Sequence, residues 1–238
     1  MTVNHSSKSL QEESRELADI AASLRGIVLA QRESGLHDLP WKSRPRPAQD
    51  STPQPSLTEL AAVVACCTRC SLHQGRTQTV FGTGDPNARL MFIGEGPGRD
   101  EDLQGEPFVG AAGQLLTRII AAIGLTREQV YIANIVKCRP PGNRTPRPEE
   151  IAACLPYLTT QIEQIRPKII CTLGNVAAQS LMETTEKISS LRGRFHRWRG
   201  ILVMPTYHPA FLLRNPEKKR DVWEDMKLVQ KELSKSAP

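Results

Sequence analysis

The sequence lacks any long apolar segment and any export signal. No stretch reaches the roughly 18 uncharged apolar residues that a membrane helix needs, and the first residues, MTVNHSSKSLQEESREL, contain no apolar core. Aromatic residues make up only 5% of the 238 residues, whereas 39% are hydrophobic and 24% are charged. This composition is typical of a globular protein and argues against a wholly disordered chain. We therefore expect a cytoplasmic protein that does not associate with membranes.

Acidic residues are outnumbered, and the excess of basic residues is confined to one part of the chain. There are 31 Lys and Arg against 25 Asp and Glu, which gives a net charge of +6. Residues 1–55 contain seven of each sign, so residues 56–238 carry the whole excess. A basic domain beside a neutral extension favours a polyanionic partner such as nucleic acid, although charge alone is weak evidence.

The first 55 residues differ in pattern from the rest. Apolar residues recur at close to a 3.6-residue period over residues 8–34, which predicts a helix. Residues 36–56 contain five prolines among polar residues and are typical of an extended linker. We therefore predict a helix and Pro-rich linker over residues 1–55 and a globular domain over residues 56–238.

Strand-like and helix-like segments alternate through residues 56–238. Four short apolar runs predict strands, and longer amphipathic segments between them predict helices. This alternation predicts an α/β fold, with a parallel sheet covered by helices on both faces. Ligands of such sheets bind at the carboxyl ends of the strands. The predicted strands are Arg89–Gly94, Val130–Val136, Lys168–Leu173 and Ile201–Pro205.

Four of the six cysteines have a spacing that suits a metal centre. Cys67 and Cys70 form a Cys-x-x-Cys motif, and Cys138 and Cys154 lie in a Pro- and Gly-rich loop and the helix that follows it. Four thiolates can bind Zn²⁺ or a 4Fe–4S cluster, and the long second spacing fits a cluster at least as well as a zinc site. The alternative is that Cys138 and Cys154 are small buried core residues.

Several sequence blocks occur in the order and spacing of a known family. The Cys-x-x-Cys motif is followed by FGTGDPNARLMFIGEGPGRDED, GEPFVGAAGQLL, VYIANIVKCRPPGNRTP and PTYHPAF. Over about residues 58–234 the chain resembles the family 4, iron–sulfur uracil-DNA glycosylases. The resemblance implies a three-layer α/β/α sandwich around a four-stranded parallel sheet, a 4Fe–4S cluster and excision of uracil from DNA. It also implies, by position, that the cluster ligands are Cys67, Cys70, Cys138 and Cys154.

Two polar residues near predicted strand ends suit the release of uracil. Cleavage between deoxyribose C1′ and uracil N1 leaves negative charge on the base, which must first be flipped out of the stack. His208 resembles the family histidine that donates to uracil O2; the alternative is a histidine that only caps a turn. Asn134 offers one acceptor and one donor, which suits uracil N3–H and O4 and disfavours cytosine. The alternative for Asn134 is a polar residue that ends a strand.

The turn after the first predicted strand supplies further candidates. Gly94 and Gly96 let backbone N–H groups approach a ligand. Glu95 is the only carboxylate inside the turn and is the best candidate to position water, while Asp102 supports the loop or serves that role. Phe108 resembles the aromatic residue on which uracil stacks, and a buried core phenylalanine is the alternative. Other uracil glycosylase families carry an aspartate at the place of Gly96, so the resemblance leaves the general base open.

The segments around His208 carry candidates for DNA contact. Leu212 or Leu213 can fill the gap that a flipped nucleotide leaves, as apolar wedges do, with core packing of the following helix as the alternative. Arg192 and Arg194 belong to a run of four arginines that flank Phe195 and Trp198, and Arg214 extends the basic character. We predict that these residues contact DNA.

We therefore interpret the chain as a monomeric, monofunctional uracil-DNA glycosylase of base excision repair. It would act on uracil in single- or double-stranded DNA and leave an abasic site. No lysine nucleophile for a lyase step is evident, and KCRPPGNRTP lacks the inserted histidine with which a related class forms a covalent adduct. The alternatives are a non-catalytic iron–sulfur module that binds DNA or senses damage, and a zinc or redox protein.

Overall fold

Helices and strands alternate along the globular domain, as the sequence predicted. The computed structural model describes residues 55–235, so the predicted helix over residues 8–34 and almost all of the predicted linker lie outside the described residues. None of the helices in residues 55–235 has the length and apolar character needed to cross a membrane. The helices of this range are α1 Leu57–Ala65, α2 Arg99–Gln104, α3 Ala111–Ala122, α4 Pro148–Ile165, α5 Asn175–Met182, α6 Ile188–Leu191, α7 Pro209–Arg214 and α8 Lys219–Ser234. The strands are β1 Thr83–Gly84, β2 Leu90–Gly94, β3 Tyr131–Asn134, β4 Ile169–Leu173, β5 His196–Trp198 and β6 Ile201–Thr206.

The strands form one sheet in the order β1-β3-β2-β4-β6-β5. The four central strands are parallel, which confirms the predicted parallel sheet. The edge strands β1 and β5, which pair antiparallel with β3 and β6, were not predicted from the sequence. These strands are two and three residues long, so neither shows the apolar run that marks a buried strand.

Helices cover both faces of the sheet and produce the predicted three-layer α/β/α sandwich. On one face Met91 and Ile93 of β2 pack with residues of α1, α4 and α5. On the other face Leu90 and Phe92 pack with residues of α3, α7 and α8. Since side chains alternate between the faces and both faces are covered, β2 is buried along its whole length.

The carboxyl ends of three strands meet at one edge of the sheet. Gly94 of β2 pairs with Asn134 of β3, and β6 ends at Thr206, two residues before His208. The Thr206 hydroxyl donates to Asp225 Oδ2 of α8 at 2.6 Å, and both residues are buried. The end of β6 is therefore anchored to α8, which fixes the direction in which the chain enters the His208 turn.

Candidate active site

An open cleft of about 480 Å³ lies at the carboxyl edge of the sheet. Its walls come from the turn after β2, the segment before α3, the end of β3, the loop after β3 and the helix α7. The structure brings together six residues that the sequence analysis proposed for the site or for DNA contact, and places them in one lining. These residues are Glu95, Gly96, Phe108, Asn134, His208 and Arg214.

Asn134 lies at the base of the cleft and is only 1% exposed. Its Oδ1 atom is buried and has no hydrogen-bond partner among residues 55–235. Buried polar atoms in native proteins are nearly always paired, because an unpaired acceptor loses its hydration without compensation. An unpaired acceptor beside a cleft is therefore positioned for an N–H group of a ligand.

The two ring nitrogens of His208 have different roles. Nδ1 accepts a hydrogen bond from the backbone N–H of Ala210 at 3.1 Å, so it caps α7. Because Nδ1 is the acceptor, the neutral ring carries its proton on Nε2. Burial and the nearby Arg214 lower the pKa of His208 to about 4, against the opposing effect of Glu101. His208 is therefore a neutral donor at physiological pH, and the capping role does not compete with a role in binding.

Phe108 is held in an unusual backbone conformation. Its φ angle is +56°, a region that bulky residues rarely adopt, and its ring centroid lies 5.6 Å from that of His208. The Glu101 carboxylate accepts hydrogen bonds from the N–H groups of Val109 at 3.0 Å and Gly110 at 3.1 Å, which fixes this turn. This role of Glu101 was not predicted from the sequence, because its carboxylate and the amide groups belong to different elements.

The two proposed carboxylates occupy different environments. Glu95 lines the cleft, where burial raises its pKa and a hydrogen bond with Thr145 opposes the rise. Asp102 is 3% exposed and lies outside the cleft lining, and its Oδ1 accepts from the backbone N–H of Thr77 at 2.9 Å. Asp102 therefore joins α2 to the segment after the Cys-x-x-Cys motif, which fits the loop-supporting role and not water activation.

Gly94 allows Asn134 and Phe108 to approach each other. A Cβ atom at Gly94 would overlap Asn134 Oδ1 and lie 2.5 Å from Phe108 Cζ. We expect Gly94→Ala to lower kcat/KM of the reaction catalysed in this cleft by about 10-fold or more, because a displacement of about 1 Å in a site is costly. The matched control is Gly75→Ala, since a Cβ there meets nothing within 4 Å. Equal activity of the two variants would contradict this role of Gly94.

The four predicted cysteine ligands line one cavity between α1, α4 and the loop after β3. None of them forms a disulfide. Three sulfur atoms already receive hydrogen bonds at 3.3 Å: Cys67 from the Tyr157 hydroxyl, Cys138 from Arg76 Nη1 and Cys154 from the Lys137 backbone N–H. Donors aimed at sulfur are the usual surroundings of a metal-bound thiolate.

The surroundings of this cavity oppose ionisation of two of its thiols unless a metal centre binds them. Burial raises the pKa of Cys154 to about 11, and it also raises the pKa of Cys138. A thiol in such surroundings loses its proton readily only when a metal binds it. Within residues 55–235 no group of three or more His, Cys, Asp or Glu side chains is close enough to hold a single metal ion.

The structure corrects two of the predicted DNA contacts. Leu212 is 1% exposed and packs in the core between the sheet and α8, whereas its neighbour Leu213 is 43% exposed. Arg192 forms a bidentate ion pair with the buried Asp225, at 2.8 and 3.1 Å, and stacks over Tyr207. Neither Leu212 nor Arg192 is therefore available to DNA, because the fold uses both side chains internally.

The other two basic residues differ in position. Arg214 is exposed and lines the cleft itself. Arg194 is also exposed, but it lies outside the cleft lining, before the residue of β5 that pairs with Val203. Contact of either side chain with DNA stays a prediction.

Comparisons with a family profile and with individual proteins indicate the same family. The sequence profile of the uracil DNA glycosylase superfamily matches residues 81–227. A type 4 uracil-DNA glycosylase of Saccharolobus solfataricus is 49% identical over 188 residues, which cover 75% of this chain and 87% of that protein. The type 4 enzymes of Archaeoglobus fulgidus and Thermotoga maritima are 44% and 47% identical, and the matches cover 77% and 71% of this chain and 96% and 90% of those proteins.

Proposed function

This chain belongs to the uracil-DNA glycosylase superfamily, in its type 4 branch, and we propose that it is a monofunctional enzyme that hydrolyses the N-glycosidic bond of deoxyuridine in DNA. The products are free uracil and an abasic site, the starting point of base excision repair. The observation that carries this proposal is the convergence of the unpaired Asn134 acceptor, the His208 donor and the Phe108 ring on one cleft. No observation favours the non-catalytic module.

The cleft residues would recognise a flipped uracil by its edge and its face. Asn134 Oδ1 accepts from uracil N3–H, the amide donates to O4, and the Phe108 ring stacks on the base. Cytosine presents the reversed pattern at these two positions, so it would leave buried polar groups unpaired. His208 Nε2–H donates to uracil O2, where negative charge grows as the bond to C1′ breaks.

Glu95 is the residue that we assign to positioning the attacking water. Its carboxylate lines the cleft, and its pKa is raised by burial, so it is poised to accept a proton more readily than an exposed glutamate. Water is the nucleophile in this proposal, and no lysine is assigned to a lyase step.

The role of Glu95 predicts a specific pH dependence. Glu95 must be ionised to position the water and accept its proton, so kcat should fall as the pH drops through the raised pKa of Glu95. His208 does not contribute to this acidic fall in kcat above about pH 5, because the pKa of His208 is about 4. We expect Glu95→Gln to reduce kcat and to remove the acidic limb from a profile measured between pH 4.5 and 8. A limb that persists in Glu95→Gln would exclude this assignment.

Leu213 is the side chain that we now propose as the wedge. It is exposed on α7, next to the cleft-lining Arg214. We expect Leu213→Ala to lower kcat/KM on double-stranded DNA by about 10-fold, because a leucine side chain no longer fills the gap in the duplex. Flipping a base out of single-stranded DNA leaves no such gap, so kcat/KM of the variant on single-stranded DNA should change little.

A matched control separates this effect from folding. Leu228 of α8 is also exposed and lies outside the cleft lining, so Leu228→Ala should leave both substrates unaffected. Leu212→Ala should instead cost about 2–5 kcal/mol in the free energy of unfolding, as core truncations do. Equal losses on both kinds of DNA in Leu213→Ala would argue against a wedge.

We propose that Cys67, Cys70, Cys138 and Cys154 hold a 4Fe–4S cluster with a structural role. The fit rests on the shared cavity and the hydrogen bonds to sulfur. Ser71 follows the Cys-x-x-Cys motif and donates to Glu150 Oε1 at 3.2 Å. Glu150 in turn pairs with Arg144 of the cleft lining at 2.7 Å. The centre would thus order one wall of the cleft.

Two assays test the proposal. Purified protein should release uracil from a deoxyuridine oligonucleotide, and an oligonucleotide with thymine serves as the control; no release would refute the enzymatic function. Elemental analysis should find iron and not zinc, with absorption near 400 nm; zinc alone would refute the cluster. The monomeric state, the cytoplasmic location and action on both single- and double-stranded DNA stay predictions.

A further inference from the structure

Lys137 is a buried cation that contacts both the cysteine cavity and the residue at the base of the cleft. It is 1% exposed, and its Nζ donates to the backbone carbonyl of Asn134 at 3.0 Å and to Gln161 Oε1 at 2.6 Å. Its backbone N–H donates to Cys154 Sγ at 3.3 Å, and the residue lines the cysteine cavity. One residue therefore joins the two sites.

The ammonium group of Lys137 has no carboxylate partner within residues 55–235, because both of its hydrogen-bond acceptors are neutral oxygens. Gln161 cannot rotate to change this, since its Nε2 donates to the carbonyl of Phe81 at 3.0 Å and to the Tyr131 hydroxyl at 3.2 Å. A buried charge without a counter-charge is strongly unfavourable. On its other side Lys137 lines the cavity of the four cysteines, where its backbone N–H reaches Cys154 Sγ.

We propose that Lys137 is a positioning residue: its ammonium group balances the negative charge of the thiolate-bound centre and holds the Asn134 backbone in place for uracil. The inference rests on the proposed function and goes beyond it, because it couples retention of the cluster to recognition of the base. Four thiolates bring negative charge to the cavity, so a fixed cation beside them stabilises the bound form. The same cation cannot move without releasing the strand end that carries Asn134.

Replacement of Lys137 by methionine tests both halves of the proposal. Lys137→Met keeps the length of the side chain and removes the charge and the donor. We expect iron to be lost to a chelator at least about 10-fold faster, as for other residues that support metal ligands. The midpoint potential of the centre should fall, and KM for uracil-containing DNA should rise more than kcat falls. Unchanged iron retention and an unchanged potential would overturn the proposal.

The matched control alters the same buried network without touching Lys137. Tyr131→Phe removes the hydroxyl that receives a hydrogen bond from Gln161 and leaves both contacts of Lys137 intact. Iron retention and midpoint potential should therefore match those of the unaltered protein. A Tyr131→Phe variant that loses iron as fast as Lys137→Met would show that any change in this network has the same effect, and would overturn a specific role for the charge.

Gln161→Glu gives a second test that does not depend on removing Lys137. The new carboxylate supplies Lys137 with its own counter-charge, so the protein should depend less on the cluster for stability. We expect a smaller difference in Tm between iron-loaded and chelator-treated protein than without the substitution, and a lower midpoint potential. An equal difference in Tm with an unchanged potential would overturn the charge-balancing role.

The outcomes for this inference and for the proposed function can be told apart. If the unaltered protein releases no uracil, the proposed function fails, while iron retention, potential and Tm still decide the role of Lys137. If the unaltered protein binds no iron, the inference fails, while the uracil assays keep their meaning.

Discussion

His208→Asn is expected to lower kcat for uracil release by about 100- to 1,000-fold, the usual cost of removing a donor to a developing oxyanion. Asparagine is a favourable N-cap residue, so it can still accept from the backbone N–H of Ala210. Its shorter side chain cannot reach the position of the imidazole Nε2 atom. The stability of the protein should therefore change little while the donor is lost.

The measurement is single-turnover release of uracil at saturating enzyme, together with Tm. His196→Gln is the matched control, because this histidine bonds to the carbonyl of Leu191 and lies outside the cleft lining. Its kcat should equal that of the unaltered enzyme. A His208→Asn variant that keeps its turnover would place the stabilisation of the leaving base elsewhere.

Asn134→Asp is expected to reduce kcat/KM for uracil by about 100-fold or more, because a carboxylate offers uracil O4 no donor in a buried position. The substitution preserves the size of the side chain, which is 1% exposed. It removes the N–H group and adds negative charge where the base presents an oxygen. The ratio of kcat/KM between uracil and cytosine should fall as well, since the amino group of cytosine can donate to the carboxylate.

Oligonucleotides with a single uracil or a single cytosine measure this ratio. Asn87→Asp makes the same chemical change at an exposed turn and should leave both substrates unaffected. Discrimination that survives Asn134→Asp would mean that the pocket selects uracil by shape and not through the amide.

The pocket could be predicted because its residues follow strands of a recognisable pattern. β3 and β6 lie in short, mainly apolar runs of the sequence, and the carboxyl ends of parallel strands meet at one edge. The polar residues after those ends had to lie together, which is why Asn134 and His208 were expected in one site and are found there. The edge strands had no such signal, since two or three residues do not show a period.

The burial of Leu212 and the ion pair of Arg192 could not be predicted from the sequence. Helical periodicity says that Leu212 and Leu213 face different directions, but only the packing of α7 against the sheet and α8 decides that Leu212 is the buried one. In the sequence Arg192 looks like any exposed basic residue. In the structure it binds Asp225, which lies 33 positions away in the chain. Long-range pairing of this kind leaves no local mark on the sequence.

The amino-acid sequence by itself determined the four parallel strands and their order along the chain, the four cysteines of the predicted centre and the residue types that suit uracil. Those features depend on spacing and on the chemistry of single side chains. Only the tertiary structure decided which ring nitrogen of His208 carries the proton, that Asn134 Oδ1 is unpaired, and that Lys137 lies between the two sites. These properties depend on which elements approach each other, because burial and hydrogen bonding set the energy of a polar group and neither is a property of the residue alone.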